Sequence, residues 1–239
     1  MEKLINEDLK NYVEENILPI YNRFDKGHDI NHANEVIEGS ILIAGYLKED
    51  VNEDIVYTVA AYHDIGLQKN RENHHLESSK FVRNDKGLEQ FFNDEEIEII
   101  ATAVSEHRAS FDGTPESIYS KIVADADRVS SIEIKDMVKR SYDYNKDKHP
   151  EWGKQKRYQE VYKHLKEKFG SNGYAYNSIY LDETKKAFHH DIKESMRKLD
   201  EEEKFKEIYD ELFPDEEISL VSEYRRLKLM RPINEFMTL

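Results

Sequence analysis

The sequence predicts an all-α protein, and three observations carry that expectation. Apolar residues recur at helical spacing along most of the chain, glycine and proline are scarce (9 and 5 of 239 residues), and strand-like composition is confined to one short stretch. Val56, Val59, Ala60 and His63 fall at i, i+3, i+4 and i+7. Ile97, Ile100, Ala101 and Val104 repeat the pattern, as do Tyr158, Val161, Tyr162 and Leu165.

Helices are expected near residues 5–24, 30–49, 53–65, 75–86, 94–108, 116–130, 131–145, 154–169, 182–199, 201–213 and 216–229. Gly66 stands as the stop after His63-Asp64-Ile65, and Gly87 and Gly113 close later segments. Asn93 with Glu96 three residues on reads as a capping box opening the helix that leads towards His107. Tyr174 to Leu181, rich in Tyr and Ile after Gly173, allows at most a short β element. Residues 1–213 are expected to form the main domain. Pro214 would then divide it from a charged helix and tail over 214–239, packed on the same domain.

The chain has no cysteine, which excludes disulfides, thiolate metal sites and cysteine nucleophiles. Any metal must be held by nitrogen and oxygen, and 10 histidines among 50 acidic residues supply both. A formal net charge of −15 opposes binding to a nucleic acid polymer. A small anionic substrate would therefore need a local positive site. The amino terminus lacks the apolar run of a signal peptide, and no stretch suits a membrane span, so a cytoplasmic protein is expected.

Several inward-facing positions carry imidazoles or carboxylates. His63 continues the stripe of Val56, Val59 and Ala60, with Asp64 beside it; His107 follows Ile100 by seven residues; Asp127 follows Val123 by four; His32 precedes Val36 by four. Buried carboxylates are costly unless paired or metal-bound, and convergence from separate helices is how helical bundles hold metals. Each residue alone reads as an ordinary core side chain; the combination points to a metal. His28-Asp29 and His190-Asp191 repeat the dipeptide without that context, and His149 and His164 read as surface residues.

His32, His63-Asp64 and Asp127 stand in the order and spacing of the H…HD…D signature, and the chain resembles the HD-domain phosphohydrolases. AAYHDIG and IVADADRV are similar to the family's HD helix and its terminal aspartate helix. The similarity runs from Phe24 to about Leu181, through DKGHDINHANEVI, RENHHLESSKF, SEHRASFDGTPESIYSKIVADADR and the later HPEW and KFGSNGY segments, and these longer strings resemble a bacterial subgroup of predicted hydrolases. The resemblance implies an HD helical bundle with additional C-terminal helices.

It also implies one or two divalent transition metal ions, from among Fe, Mn, Ni, Co and Zn, held by His32, His63, Asp64, Asp127 and two further histidines. In related families the first of these precedes a small residue by four positions; His75 reaches Ser79 and His74 reaches Ser78. His75 is favoured as ligand with His107, and His74 as a supporting or substrate contact. The resemblance implies a metal-activated hydroxide cleaving a phosphoester or phosphoanhydride of a small molecule, a nucleotide being the first expectation. Asp64 would bridge the metals, and His28 would be a general acid.

Lys69, Arg71, Arg108 and Arg128, beside the motif residues, are candidate phosphate contacts, Arg71 and Arg108 with a part in catalysis. Tyr142, Tyr144, Trp152, Tyr174 and Tyr176 are available to stack on a base. The same ligand set also resembles HD-domain di-iron oxygenases. A third alternative is a non-catalytic HD scaffold that senses a nucleotide. Homo-oligomerisation through the helices after Asp200 is open.

Overall fold

The structure is a computed structural model that describes residues 5–130 and 132–214. Its helices are α1 (Glu7–Asn16), α2 (Ile30–Tyr46), α3 (Glu53–Tyr62), α4 (His74–Asn84), α5 (Asp94–Ser105), α6 (Ile118–Val129), α7 (Ile134–Lys148), α8 (Lys154–Phe169), α9 (Tyr174–Asn177), α10 (Asp182–Ala187), α11 (His189–Asp200) and α12 (Glu202–Leu212). Short 3-10 turns over Leu18–Arg23, Ile65–Gln68 and Leu88–Gln90 join some of them, and no strand occurs among the described residues. The fold is an all-α bundle.

α3 is the centre of the bundle. Every residue from Ile55 to Tyr62 is buried, so the helix is covered on all sides rather than along one stripe. α2, α5 and α6 pack on α3, and α4 lies along α5. α7, α8, α11 and α12 form a second group, tied to the first through α9 on α6 and α10 on α2. A single apolar cluster runs from Leu9 to Tyr209 through both groups.

Local chemistry sets the helix starts. Asp29 caps α2 by accepting from the Asn31 and His32 amides, which fixes His32 in the first helical turn. Asn52 and Ser117 cap α3 and α6 in the same way. The capping box of Asn93 and Glu96 is present at the start of α5.

Three expected elements differ in detail. The expected helix 5–24 ends at Asn16 and resumes as a 3-10 turn, because Pro19 cannot supply an amide to continue the ladder. Helix 182–199 breaks at Phe188 into α10 and α11. The strand-like stretch 174–181 is not a strand. Its first residues form α9, and the amides of Tyr180 and Leu181 donate to the buried Asp125 carboxylate at 2.8 and 2.9 Å, where a partner strand would otherwise accept. The expected helix 216–229 lies outside the described residues.

Gly66 is not a left-handed helix stop; among the described residues only Gly113 has a positive φ, of 149°. Close approach explains Gly66 instead. A Cβ there would lie 2.0 Å from the His74 carbonyl oxygen and 2.5 Å from the Ser78 amide nitrogen. The chain after α3 thus presses directly on the start of α4, and the Gly66 amide donates to Ser78 Oγ at 2.8 Å.

Candidate metal centre

The histidine-aspartate pair sits just past the end of α3. His63 is its C-cap, and Asp64 occupies a bridge-region turn with φ −106° and ψ 2°. The Asp64 amide donates to Tyr21 Oη at 3.2 Å, and that hydroxyl donates to the Ala61 carbonyl at 2.9 Å, which locks the turn. His107 lies beyond the end of α5, His32 in the first turn of α2, His74 at the first residue of α4, and Asp127 in the last turn of α6. Every contributor stands in a terminal turn of a helix or just beyond its end, where a side chain can leave the helix without crossing its own backbone.

These side chains meet around the two oxygens of Asp64. Oδ1 lies 3.1 Å from His74 Nε2 and 3.4 Å from His107 Nε2. Oδ2 lies 3.4 Å from His63 Nε2 and 3.8 Å from His32 Nε2, while Asp127 Oδ1 is 3.3 Å from His32 Nε2. Two groups emerge, His32 with His63 and Asp127, and Asp64 with His74 and His107.

Ring orientation is fixed from behind. Nδ1 of His63, His107 and His74 donates to the carbonyls of Ala60, Val104 and Arg71 at 2.7, 2.7 and 2.8 Å. With the proton on Nδ1, the Nε2 lone pair points into the centre, as metal-ligating imidazoles require. His63 Nε2 then faces His32 Nε2 at 3.3 Å, and His74 Nε2 faces His107 Nε2 at 3.4 Å. Two lone pairs at that separation repel unless a cation lies between them. Donors about 2.1 Å from one transition metal stand roughly 3.0–3.4 Å apart, so these distances fit shared ions.

The electrostatics agree. Burial pushes the Asp64 carboxyl up, but His63, His107 and His74 outweigh it and hold the group well below the carboxylate range. Asp127 is likewise held low, against burial, by His32 and His63. Burial pushes His63 down, yet Asp64 and Asp127 raise it to about 9, whereas His32 and His107 stay below their ordinary value because burial prevails. Two carboxylates held ionised at the heart of the cluster make a centre that attracts positive charge. The buried His and Asp clusters can hold metal, and their all-nitrogen-and-oxygen donor set suits a divalent transition metal.

The choice between the two adjacent histidines is corrected here. His74, not His75, stands beside Asp64. Consecutive helical residues project about 100° apart, so only one of the pair can face the centre. His75 turns instead towards Arg108, whose Nη1 is 3.5 Å from its Nδ1; burial and that cation lower its pKa to about 4.

The expected cations divide. Arg108 lines the cavity at the centre, anchored by a 2.7 Å bond from Nη1 to the Glu72 carbonyl. His28 lines it too, with Nδ1 3.0 Å from Asp25 Oδ1. Arg71 is paired with Asp25 and lies over the Tyr144 ring, in an adjoining cavity. Arg128 does not reach the site: it is 2 % exposed, donates to Ser178 and the Ala124 carbonyl, and stacks on Tyr180. Lys69 is exposed and does not line this cavity.

Among the aromatic residues, Tyr174 lines the cavity and Tyr144 the adjoining one, while Tyr142 stacks on Phe213, Trp152 on His149, and Tyr176 is buried. His190 and Asp191 are solvent-exposed. Arg140 and Lys168 line the cavity as well; neither stands beside a motif histidine or aspartate, although both fall within the stretch that resembles the family.

Residues 29–132 match the family model described as the HD domain. The segment from α2 to α6 carries the likeness to the HD-domain superfamily. The match spans α2 to α6 and takes in the whole histidine-aspartate cluster, while α7 to α12 lie beyond it. No curated protein and no solved structure matches the chain. No helix among the described residues is long and apolar enough to cross a membrane.

Proposed function

We propose that this HD domain is a phosphohydrolase that cleaves a phosphoester or phosphoanhydride of a small anionic molecule, with nucleotides as the first class to test. The observation that carries the reading is the Asp64 carboxylate, which offers one oxygen to His74 and His107 and the other to His63 and His32. In this reading His32, His63 and Asp127 hold one metal ion, His74 and His107 a second, and Asp64 spans both. The bound metals would supply a hydroxide at neutral pH and neutralise charge on the phosphoryl oxygens.

The chain's own groups do the rest. Arg108, fixed by the Glu72 carbonyl, is placed to hold a phosphoryl oxygen in the cavity. His28 is the candidate general acid, because its bond to Asp25 occupies Nδ1 and leaves Nε2 for the leaving-group oxygen. Arg71 braces Asp25 from the other side and so positions His28 rather than touching the phosphoryl group. The acidic protein, at −15, concentrates cations here in keeping with an anionic substrate.

The test is a screen of nucleoside mono-, di- and triphosphates and small phosphoesters on manganese-loaded protein. Phosphate or pyrophosphate release that falls at least a hundredfold in Arg108→Ala and Asp64→Ala is the expected result. Oxygen uptake with no phosphate release from any substrate would reverse the reading.

A further inference from the structure

Lys168 carries a charge that the mechanism above leaves unused. It lies at the C-terminal end of α8, beyond the stretch that matches the HD family, yet lines the cavity of the metal centre. Its ammonium sits 4.9 Å from the Phe169 ring centroid, and it makes no ion pair among the described residues. Burial pushes its amine down, with Arg140 and Arg128 adding to that effect and Asp127 and Asp64 opposing it. An unpaired, partly buried ammonium beside other cations is unfavourable unless an anion joins it.

Arg140 on α7 is the second member. It lines the same cavity, and its ion pair with Glu35 is a loose 3.5 Å contact to Nη1 that leaves other guanidinium donors for a phosphoryl group. Lys168, Arg140, His28, Gly27 and Phe169 also line the adjoining cavity, which Met137, Leu165 and Tyr144 make more apolar. The two cations therefore stand where the cavity of the centre passes into its neighbour, away from the motif helices that carry Arg108.

We propose that Lys168 and Arg140 form an anion subsite that holds a second phosphoryl group of the substrate, linked to the one at the metal centre, with the organic part towards Tyr144 and Phe169. The inference rests on the phosphohydrolase reading and narrows it to substrates with linked phosphoryl groups. A single phosphoryl group at the centre already has Arg108 and the metal-binding residues. Two more cations in a chain of −15 call for a second anionic group.

The probes are orthophosphate and imidodiphosphate, whose linked phosphoryl groups resist cleavage. Binding is measured by calorimetry on manganese-loaded full-length wild type, Lys168→Met, Arg140→Met and Lys168→Arg, with metal content read on the same samples. The expected result is imidodiphosphate weakened roughly tenfold in each Met variant, largely restored in Lys168→Arg, with orthophosphate changed less than about threefold. Equal weakening of both anions, no weakening of either, or wild type binding imidodiphosphate no more tightly than orthophosphate would overturn the subsite. Wild type that holds no metal contradicts the phosphohydrolase reading instead, and the imidodiphosphate comparison still decides the subsite.

Discussion

His74 and His75 are chemically identical neighbours with opposite surroundings. Nε2 of His74 lies 3.1 Å from Asp64, and its Nδ1 is held by the Arg71 carbonyl; His75 faces Arg108 and its proton affinity falls to about 4. Replacing each by Ala should therefore give different proteins. His74→Ala is expected to lose about half of the bound metal and at least a hundredfold in activity, whereas His75→Ala should keep its metal and lose less than about tenfold. Metal analysis and turnover on the two variants check this, and the reverse order would contradict the assignment. The sequence held the signal in part, since either histidine precedes a serine by four positions. What it could not convey is the rotation of α4 about its axis, which the packing of Gly66 on His74 and Ser78 sets.

At the scale of elements, the centre depends on how α3 hands over to α4. The turn through Asp64 brings Gly66 against the first residues of α4, and no side chain fits between them. Gly66→Ala should destabilise the protein by about 1–3 kcal/mol, or more if α4 cannot shift, because the new methyl meets backbone rather than a mobile side-chain end. Since His74 sits on that backbone, occupancy of its site should fall as well. Urea unfolding together with metal analysis reads both effects, and an unchanged midpoint with full metal would contradict the packing argument. Helix existence was legible from periodicity for α2 to α8, and the Asn93–Glu96 box gave the start of α5. The break at Phe188 and the loss of the 174–181 strand were not legible, because Asp125 acts on Tyr180 and Leu181 from a distant part of the chain.

For the molecule as a whole, the family motif and the cavity wall come from different parts of the chain. The ligand set lies within 29–132, but Arg140, Lys168, Phe169 and Tyr174 complete the cavity from helices beyond it. The KFGSNGY stretch that holds Lys168, Phe169 and Tyr174 is part of the family-like sequence, but nothing in its periodicity says that it closes this cavity, which is why the sequence pointed to Arg128 rather than Lys168. The shared core also ties stability to buried tyrosines. Burial raises Tyr57, Tyr158 and Tyr176 to about 12, with Glu14 adding at Tyr57 and Glu202 at Tyr158, and raises Tyr62 further with Asp85 beside it. A folded-state pKa above the unfolded value of about 10 means the unfolded chain releases protons first. Stability should be fully present below about pH 10 and lost as pH rises towards 12. Tyrosinate absorbance should lag behind the 15 tyrosines of the sequence until unfolding, and smooth titration of all of them in folded protein would contradict this.

The central claim is that Asp64 joins two metal sites, and metal content tests it most directly. Untagged protein purified without chelators, or reconstituted with manganese, iron, nickel or zinc, should carry two transition-metal equivalents per chain by plasma mass spectrometry. Asp64→Ala should lose most of both, because each carboxylate oxygen serves a different histidine group. Wild type with no metal after reconstitution, or an Asp64→Ala variant that keeps both equivalents, would contradict the account.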